Sequence, residues 1–347
     1  MPGRRVAQRP TRRSPFGTHR STSSGLAAIA GWALVAPPTI TAAARLGRRE
    51  GTSSILIAEA FGPLLGLPAA ASLAMATATR RRGLAATAAA VTALHLSWLA
   101  AELHQANGAT DGTGAPPPAA DPGSRFRLFS ANVLFTNTDL DGIAAEVTAA
   151  DPDVVVLQEV SPPTLAALGR AGTLDRFPYR SLTARPDPLG TAILSRFPLD
   201  DVESCTVGGM PMARATVVVG EHRVRLYNVH TRAPFGPGGL PLWTTQLGSL
   251  AAIAKAETGP LILAGDFNAS AGHRPFRAVL AAGVRDAHMA CRRWWVTTWP
   301  SDMRLAPPFA RIDHVLVSPH LAVLSVAEGE GRGSDHRPVI ADLAVLG

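Results

Sequence analysis

Only two cysteines occur in the 347-residue chain, Cys205 and Cys291. Their spacing fits neither a zinc cluster nor a dithiol redox motif. Buried free thiols are the simple reading, and a single disulfide stays open to them if they face an oxidising exterior. Lysine is absent from the first 124 residues, whose 12 arginines and 5 acidic residues hold the whole formal charge of +7. The remainder has 21 basic and 21 acidic residues and so lacks any net charge. Nucleic-acid enzymes usually carry a basic stripe that neutralises phosphates, so this balance counts against a nuclease. No internal repeat of fixed period is present, which excludes solenoids and propellers.

Charge is also missing from long stretches of the N-terminal third. Gly25 to Ala44 is an uncharged, mostly apolar run of 20 residues interrupted by Pro37-Pro38. A second run, Thr52 to Thr79, has only Glu59 charged, and a third, Gly83 to Ala101, has His95 as its sole ionisable residue. Each is long enough to cross roughly 30 Å of hydrocarbon as a helix, so about three transmembrane helices are expected. Six arginines precede the first run and Arg80 to Arg82 follow the second, against Arg45, Arg48 and Arg49 between them. The positive-inside bias then places a basic N-terminus (1–24) in the cytoplasm, a membrane anchor at 25–104, and the C-terminal part outside the cell membrane. The Gly-, Ala-, Pro- and Thr-rich segment 105–124 reads as a linker to a domain at 125–347, long enough to bury its own core.

In that domain, β-like runs alternate with amphipathic helical stretches. Strands are expected at Phe126–Ala131, Asp153–Leu157, Thr191–Leu194, Ala213–Val219, Val224–Val229, Leu261–Ala264, Ile312–Val317 and Pro338–Leu343. Helices are expected at Leu140–Ala150, Pro241–Glu257 and Arg274–Ala282. The first strand ends in Asn132 and the second in Gln158-Glu159. A parallel crossover between them would bring Asn132 and Glu159 to one sheet edge, where open α/β architectures build sites. The strand 261–264 runs into Gly265-Asp266-Phe267-Asn268. Asp266 and Asn268, two apart, can hold a water and a phosphoryl oxygen together, or form an Asx-type turn. Arg311-Ile312-Asp313-His314 and Ser334-Asp335-His336-Arg337-Pro338 each set polar residues beside a strand. Asp313 can there orient the imidazole of His336 and raise its basicity. His314 reads as a strand residue.

Taken in order, these pieces resemble the endonuclease/exonuclease/phosphatase superfamily. The resemblance is carried by Asn132 in Ser-Ala-Asn, Glu159 in Gln-Glu-Val, His230 in Tyr-Asn-Val-His-Thr, Asp266 and Asn268 in Gly-Asp-Phe-Asn, Asp313 in Arg-Ile-Asp-His, and Asp335-His336 in Ser-Asp-His-Arg-Pro. It implies a four-layered α/β sandwich, two mixed β-sheets flanked by helices, with a divalent metal cofactor, Mg²⁺ or else Mn²⁺. It implies a metal site of Glu159 with Asn132 and Asp335. Asp266 and His336 become candidates for water activation, with the choice between them open and Asp313 orienting His336. Asn132, Asn268, His230 and Arg214 become phosphate-contacting residues, His230 also a leaving-group acid. One departure stands out: the DNase-like branch carries an acid just before the strand at 191, and here Asp187 is the nearest substitute. Thr298-Trp299-Pro300 is similar to a packing and site-framing element of the family.

With its anchor, the architecture is similar to the membrane-bound branch linked to teicoplanin resistance in bacteria. That resemblance implies a phosphohydrolase acting on a lipid phosphate such as undecaprenyl pyrophosphate. Within the apolar segment Ala233 to Trp243, the stretch Phe235 to Trp243 is expected at the lip of such a site. An extracytoplasmic nuclease or phosphodiesterase is the alternative, and a non-catalytic binding module on a membrane anchor is the third reading. No protein partner is implied.

Overall fold

A computed structural model describes residues 19–47, 53–108, 124–303 and 307–346. Most of the basic N-terminus and of the linker lies outside the described residues. The chain forms two compact units, one of 1–42 with 65–95 and the other of 43–64 with 96–347. The division therefore does not fall at the linker: a piece of the expected anchor belongs to the unit that contains 125–347.

The first unit contains most of α1 (His19–Leu46), α3 (Gly66–Ala78) and the first part of α4 (Arg82–Gly108). Val35, Ala69, Ala76, Leu84, Ala88 and Val91 make its small buried core. Ser72 donates to the Gly31 carbonyl at 2.8 Å, closing α3 on α1. Two helices, Gly25–Leu46 and Arg82–Ala101, are long and apolar enough to cross a membrane. The expected second span is not one helix. It breaks into α2 (Ser53–Ala60), a 3-10 turn (Gly62–Leu65) and α3, because Gly62 takes a left-handed φ of 48° that ends α2. At the far end, α4 continues through Gly108, past the expected start of the linker.

The second unit contains a sandwich. Its strands are β1 (Arg125–Asn132), β2 (Val154–Gln158), β3 (Tyr179–Thr183), β4 (Thr191–Ser195), β5 (Leu199–Val207), β6 (Met210–Val219), β7 (His222–His230), β8 (Leu261–Asp266), β9 (Arg285–Asp286), β10 (Asp313–Val317), β11 (Leu321–Glu328) and β12 (Val339–Val345). Its helices are α5 (Leu140–Ala150), α6 (Pro162–Arg170), α7 (Gly239–Ala256), α8 (Arg274–Leu280) and the short α9 (Ala287–Ala290). Among the described residues there are two six-stranded mixed sheets, ordered β11-β12-β1-β2-β4-β3 and β5-β6-β7-β8-β10-β9.

The period-two alternation of the strands builds the layers. Leu128, Val154 and Val156 of the first sheet meet Leu226, Ile262 and Val315 of the second in a core between the sheets. The alternate residues Phe129, Val155 and Leu157 face outward onto Ile143 and Val147 of α5 and Leu168 of α6. On the other side, Leu261, Leu263 and Phe267 pack on Trp243, Leu247 and Leu250 of α7. This is the expected four-layered arrangement. It also corrects the reading of Trp243: its ring is fully buried and its indole N–H donates to the Phe267 carbonyl, so it is core and not lip.

Candidate active site

Strand register assembles the site. β1 and β2 are parallel, joined through α5, with Asn132 opposite Gln158 at their C-terminal ends. In the second sheet, β7 and β8 are parallel with His230 opposite Asp266, and β10 runs antiparallel to β8 with Asp313 opposite Asp266. Asp266 shares its strand face with Ile262 and Ala264, and Asp313 with Val315 and Val317, all in the core between the sheets. One polar row per sheet thus arises where the apolar alternation stops, and the two rows meet. Asn132 Nδ2 donates to Asp266 Oδ2 at 3.1 Å across the sandwich and to Glu159 Oε1 at 3.0 Å beside it. A buried bridge lies behind them: Gln158 Nε2 donates to Asn228 Oδ1 at 2.7 Å, and Asn228 Nδ2 donates to the Leu157 carbonyl at 2.9 Å.

Two backbone devices aim the side chains. Gly265 has φ 142°, and a Cβ there would overlap the Val229 carbonyl oxygen of the neighbouring strand, so glycine is required just before Asp266. Glu159 and Asn268 both adopt left-handed φ values, 60° and 47°, which turn their side chains back toward the strand ends. Glu159 is further held by the Phe135 amide, which donates to Oε2 at 3.1 Å. The Asp266–Asn268 pair forms the Asx-type turn and also serves the cluster. The Asn268 amide donates to Asp266 Oδ1 at 2.7 Å, while Asn268 Nδ2 reaches Asp266 Oδ2 at 3.2 Å.

His336 arrives from the loop before β12. Its Nδ1 lies 3.1 and 3.0 Å from the two Asp313 oxygens, and its Nε2 is 3.8 Å from Asp266 Oδ2 and 3.8 Å from Asp335 Oδ1. Burial works to lower its pKa, but the Asp313 and Asp266 carboxylates outweigh this and push it up to about 10. Burial in turn raises the Asp266 carboxyl above its ordinary range, against the pull of His336. His230 Nε2 stands 3.7 Å from Glu159 Oε1 and 3.8 Å from Asp266 Oδ2. Thr298 and Trp299 frame the group: the Asp313 amide donates to Thr298 Oγ1 at 3.3 Å, and the Trp299 indole donates to Asp335 Oδ2 at 2.9 Å.

The donor set suits a hard divalent cation. Asp335 Oδ1 is buried with no hydrogen-bond partner, an orphaned carboxylate oxygen that a cation would satisfy. Asp266, Asp313 and His336 also place ligand atoms within 4.8 Å of one another, a buried group that can take a metal when His336 is neutral. Asn132 presents Nδ2, not Oδ1, to Glu159, and its Oδ1 accepts from the Leu134 amide at 3.0 Å. In this geometry it positions the two carboxylates.

The cluster floors a cavity of about 500 Å³. Glu159, His230, Asp266, Asn268, Asp335 and His336 line it, but Arg214 does not. The Arg214 guanidinium is taken by Glu203 and donates to the Tyr227 hydroxyl at 3.3 Å, which corrects its expected place beside the phosphate. Arg232, exposed and two residues after His230, lines the cavity instead. Its signal in the sequence is a second basic position after the Asn-Val-His strand end. Asp187 does not substitute for the missing acid: both its oxygens bond Arg185, at 2.9 and 2.7 Å. Its neighbours Pro188 and Leu189 give the cavity an apolar wall there. Phe235, 39 % exposed, also lines the cavity, as the expected lip segment requires, whereas Leu240 packs on the α7 core. Both cysteines are free thiols.

Residues 129–336 match the model of the Endonuclease/Exonuclease/phosphatase family. The chain belongs to that family. Comparison with curated proteins gives no match. Among solved structures, the sandwich is similar to TDP2 from D. rerio complexed with single-strand DNA product, at 21% identity and a TM-score of 0.54, covering 64% of this chain and 100% of that one. It is also similar to a truncated Caenorhabditis elegans TDP2 (19%, TM-score 0.52, covering 64% and 99%) and to an endonuclease/exonuclease/phosphatase from Bacteroides vulgatus (18%, TM-score 0.51, covering 64% and 99%). At such identities the likeness shows the fold. Family members are metal-dependent phosphoesterases, and this chain holds a buried Asp-Asp-His group able to take a metal.

Proposed function

We propose that the chain is a membrane-anchored phosphohydrolase that cleaves a phosphate ester or pyrophosphate of a lipid, of the undecaprenyl pyrophosphate kind, at the outer membrane face. The observation that carries this reading is the cavity itself: a charged floor suited to activating water against phosphate, under walls that include Leu189, Phe235 and Ile312. A prenyl or acyl chain gains from contact with such walls, whereas a sugar–phosphate backbone gains nothing. The zero net charge of residues 125–347 agrees, since a membrane substrate needs no electrostatic capture.

Glu159 and Asp335 would hold Mg²⁺, or Mn²⁺, through oxygen ligands. The ion supplies charge neutralisation on the phosphoryl oxygens. Asn132 fixes Glu159 and Asp266 relative to each other. Asp266, aimed by Asn268, accepts the proton of the attacking water, while His336, held by Asp313, presents a positive Nε2–H toward developing negative charge. Water attacks the terminal phosphorus, the bridging P–O bond breaks and the lipid phosphate leaves; His230 stands ready to protonate the departing oxygen, and Arg232, on the cavity wall, is the basic side chain available to the departing phosphate.

The extracytoplasmic orientation requires a third crossing, and Gly62–Ala78, 17 residues, is at the short limit of what spans roughly 30 Å. The six arginines before the first apolar run together with Arg80 to Arg82, against Arg45, Arg48 and Arg49, supply the supporting bias.

The similarity to a TDP2 bound to single-strand DNA product favours a nuclease or phosphodiesterase as second reading. One comparison decides: the full-length protein in detergent with Mg²⁺, offered polyprenyl pyrophosphate, single- and double-stranded DNA, and sphingomyelin. Phosphate release from the polyprenyl substrate is expected, and its loss in Glu159→Gln. DNA degradation with steep salt dependence and no lipid turnover would replace the first reading by the second.

A further inference from the structure

One wall of the catalytic cavity comes from a segment that the sequence assigns to the membrane anchor. Leu56, Ile57 and Ala60 of α2 line the cavity together with Glu159, Asp266 and His336. α2 is attached by contacts that only a fitted helix end could make. Burial pushes the His273 imidazole down to about 4, so it is neutral at physiological pH. Its Nδ1 accepts from the Ser270 amide at 2.9 Å, which puts the ring proton on Nε2, and Nε2 donates to the Leu56 carbonyl at 2.9 Å. Ser270 Oγ donates to the Glu59 carbonyl at 3.4 Å. A Cβ at Gly272 would overlap that same carbonyl oxygen, so glycine is needed for the approach. Phe61 stacks on Phe309 with ring centroids 4.8 Å apart. Ser270, Gly272 and His273 follow Asn268 directly, so the loop that carries a floor residue also grips α2.

Leu56 is spent on the core, but Ile57 is not: its side chain is 47 % exposed and borders the cavity. α2 is also the part of this unit that follows the first membrane-spanning helix within a few residues. We propose that α2 is a substrate-binding element, which takes the apolar chain of a phosphorylated lipid through Ile57 and Ala60 and so holds the phosphate over the floor. This rests on the lipid-phosphate reading above and adds a specificity determinant outside the sandwich.

Two measurements on the full-length protein in detergent test it. In Glu159→Gln, a diazirine-bearing polyprenyl phosphate is photolysed and its adducts mapped by mass spectrometry; adducts on residues 55–61 are expected. In Ile57→Asn, and separately in Gly272→Ala, which forces α2 off the loop, kcat/KM is compared for polyprenyl pyrophosphate and p-nitrophenyl phosphate. The ratio of the two is expected to fall about tenfold in each variant, the size of losing one large apolar contact. An unchanged ratio, or adducts confined to other segments, overturns the proposal and leaves α2 a structural prop. If the wild type cleaves p-nitrophenyl phosphate but no polyprenyl pyrophosphate, the lipid reading itself falls, and this proposal with it.

Discussion

The floor and the walls of the cavity are built by different rules. The floor comes from strand ends, where fixed register sets His230, Asp266 and Asp313 in one row and Asn132 and Gln158 in another. The floor residues are tied by hydrogen bonds to one another or to adjoining backbone and side chains, except His230, which lies 3.7 and 3.8 Å from Glu159 and Asp266. The walls come largely from loops and from α2, and several of their side chains are partly exposed: Ile57 47 %, Phe235 39 %, Leu189 36 %. Rigid, mutually bonded groups suit a common chemistry, while exposed apolar side chains on separate segments can change with the substrate.

If that division is right, substitutions in the floor should damage all substrates alike. Asp266→Asn is expected to lower kcat by about 10³-fold on both polyprenyl pyrophosphate and p-nitrophenyl phosphate, as removal of a proton-accepting carboxylate does. A loss confined to one substrate would break the comparison.

The seam between floor and wall should be sensitive to pH. His273 has a folded pKa of about 4 against an ordinary 6.5, so between these values the unfolded chain binds the extra proton. The stabilisation is complete above pH 6.5 and is lost as pH falls toward 4, up to about 3 kcal/mol at 1.36 kcal/mol per pH unit. Thermal unfolding of wild type and His273→Gln between pH 7 and 4.5 should show a steeper acid loss for the wild type. Parallel curves would mean that the imidazole is not buried as described.

Walls should discriminate where the floor does not. Phe235→Ser is expected to raise KM for a long-chain lipid phosphate about tenfold and to change the ratio of lipid to soluble-ester activity by the same factor. Equal losses on both substrates would return Phe235 to the floor's account. The smallest effects separate two arginines. Arg232→Ala should cost about fivefold in kcat/KM, the loss of one exposed charge-assisted contact, and Arg214→Ala less than about twofold. The reverse order would restore Arg214 to the phosphate.

Hydrophobic alternation revealed every strand with neighbours on both sides: β1, β2, β4, β6, β7, β8, β10 and β12. The strands it did not reveal, β3, β5, β9 and β11, are the four sheet edges. For three of them the sequence explains why. Tyr179–Thr183 is exposed almost throughout, Leu199–Val207 carries Asp200, Asp201 and Glu203, and β9 is two residues long. Edges kept polar or short to avoid further pairing lack the pattern that betrays an interior strand; β11, eight residues and mostly apolar, is not explained in this way. The site was legible for a similar reason: its floor residues sit within a few positions of interior strand ends. The anchors of α2 were not, because no local pattern announces a contact between Leu56 and His273, 217 residues apart. Trp243 was misplaced because an apolar run after a strand reads equally as lip or as the first turns of a buried helix.

The close approach of Gly272 to Glu59 bears on where this chain can be cut. The chain invites division at its Pro- and Gly-rich linker, and a fragment beginning at Arg125 would keep every motif residue of the family. It would also uncover the buried ring of His273 and the face of Phe309, and would present a half-open cleft in place of the cavity. Such a fragment would report the chemistry of the family without the selectivity of this member. The working unit is discontinuous in sequence, and its missing piece lies some 60 residues upstream of the fragment's first strand, among the hydrophobic helices.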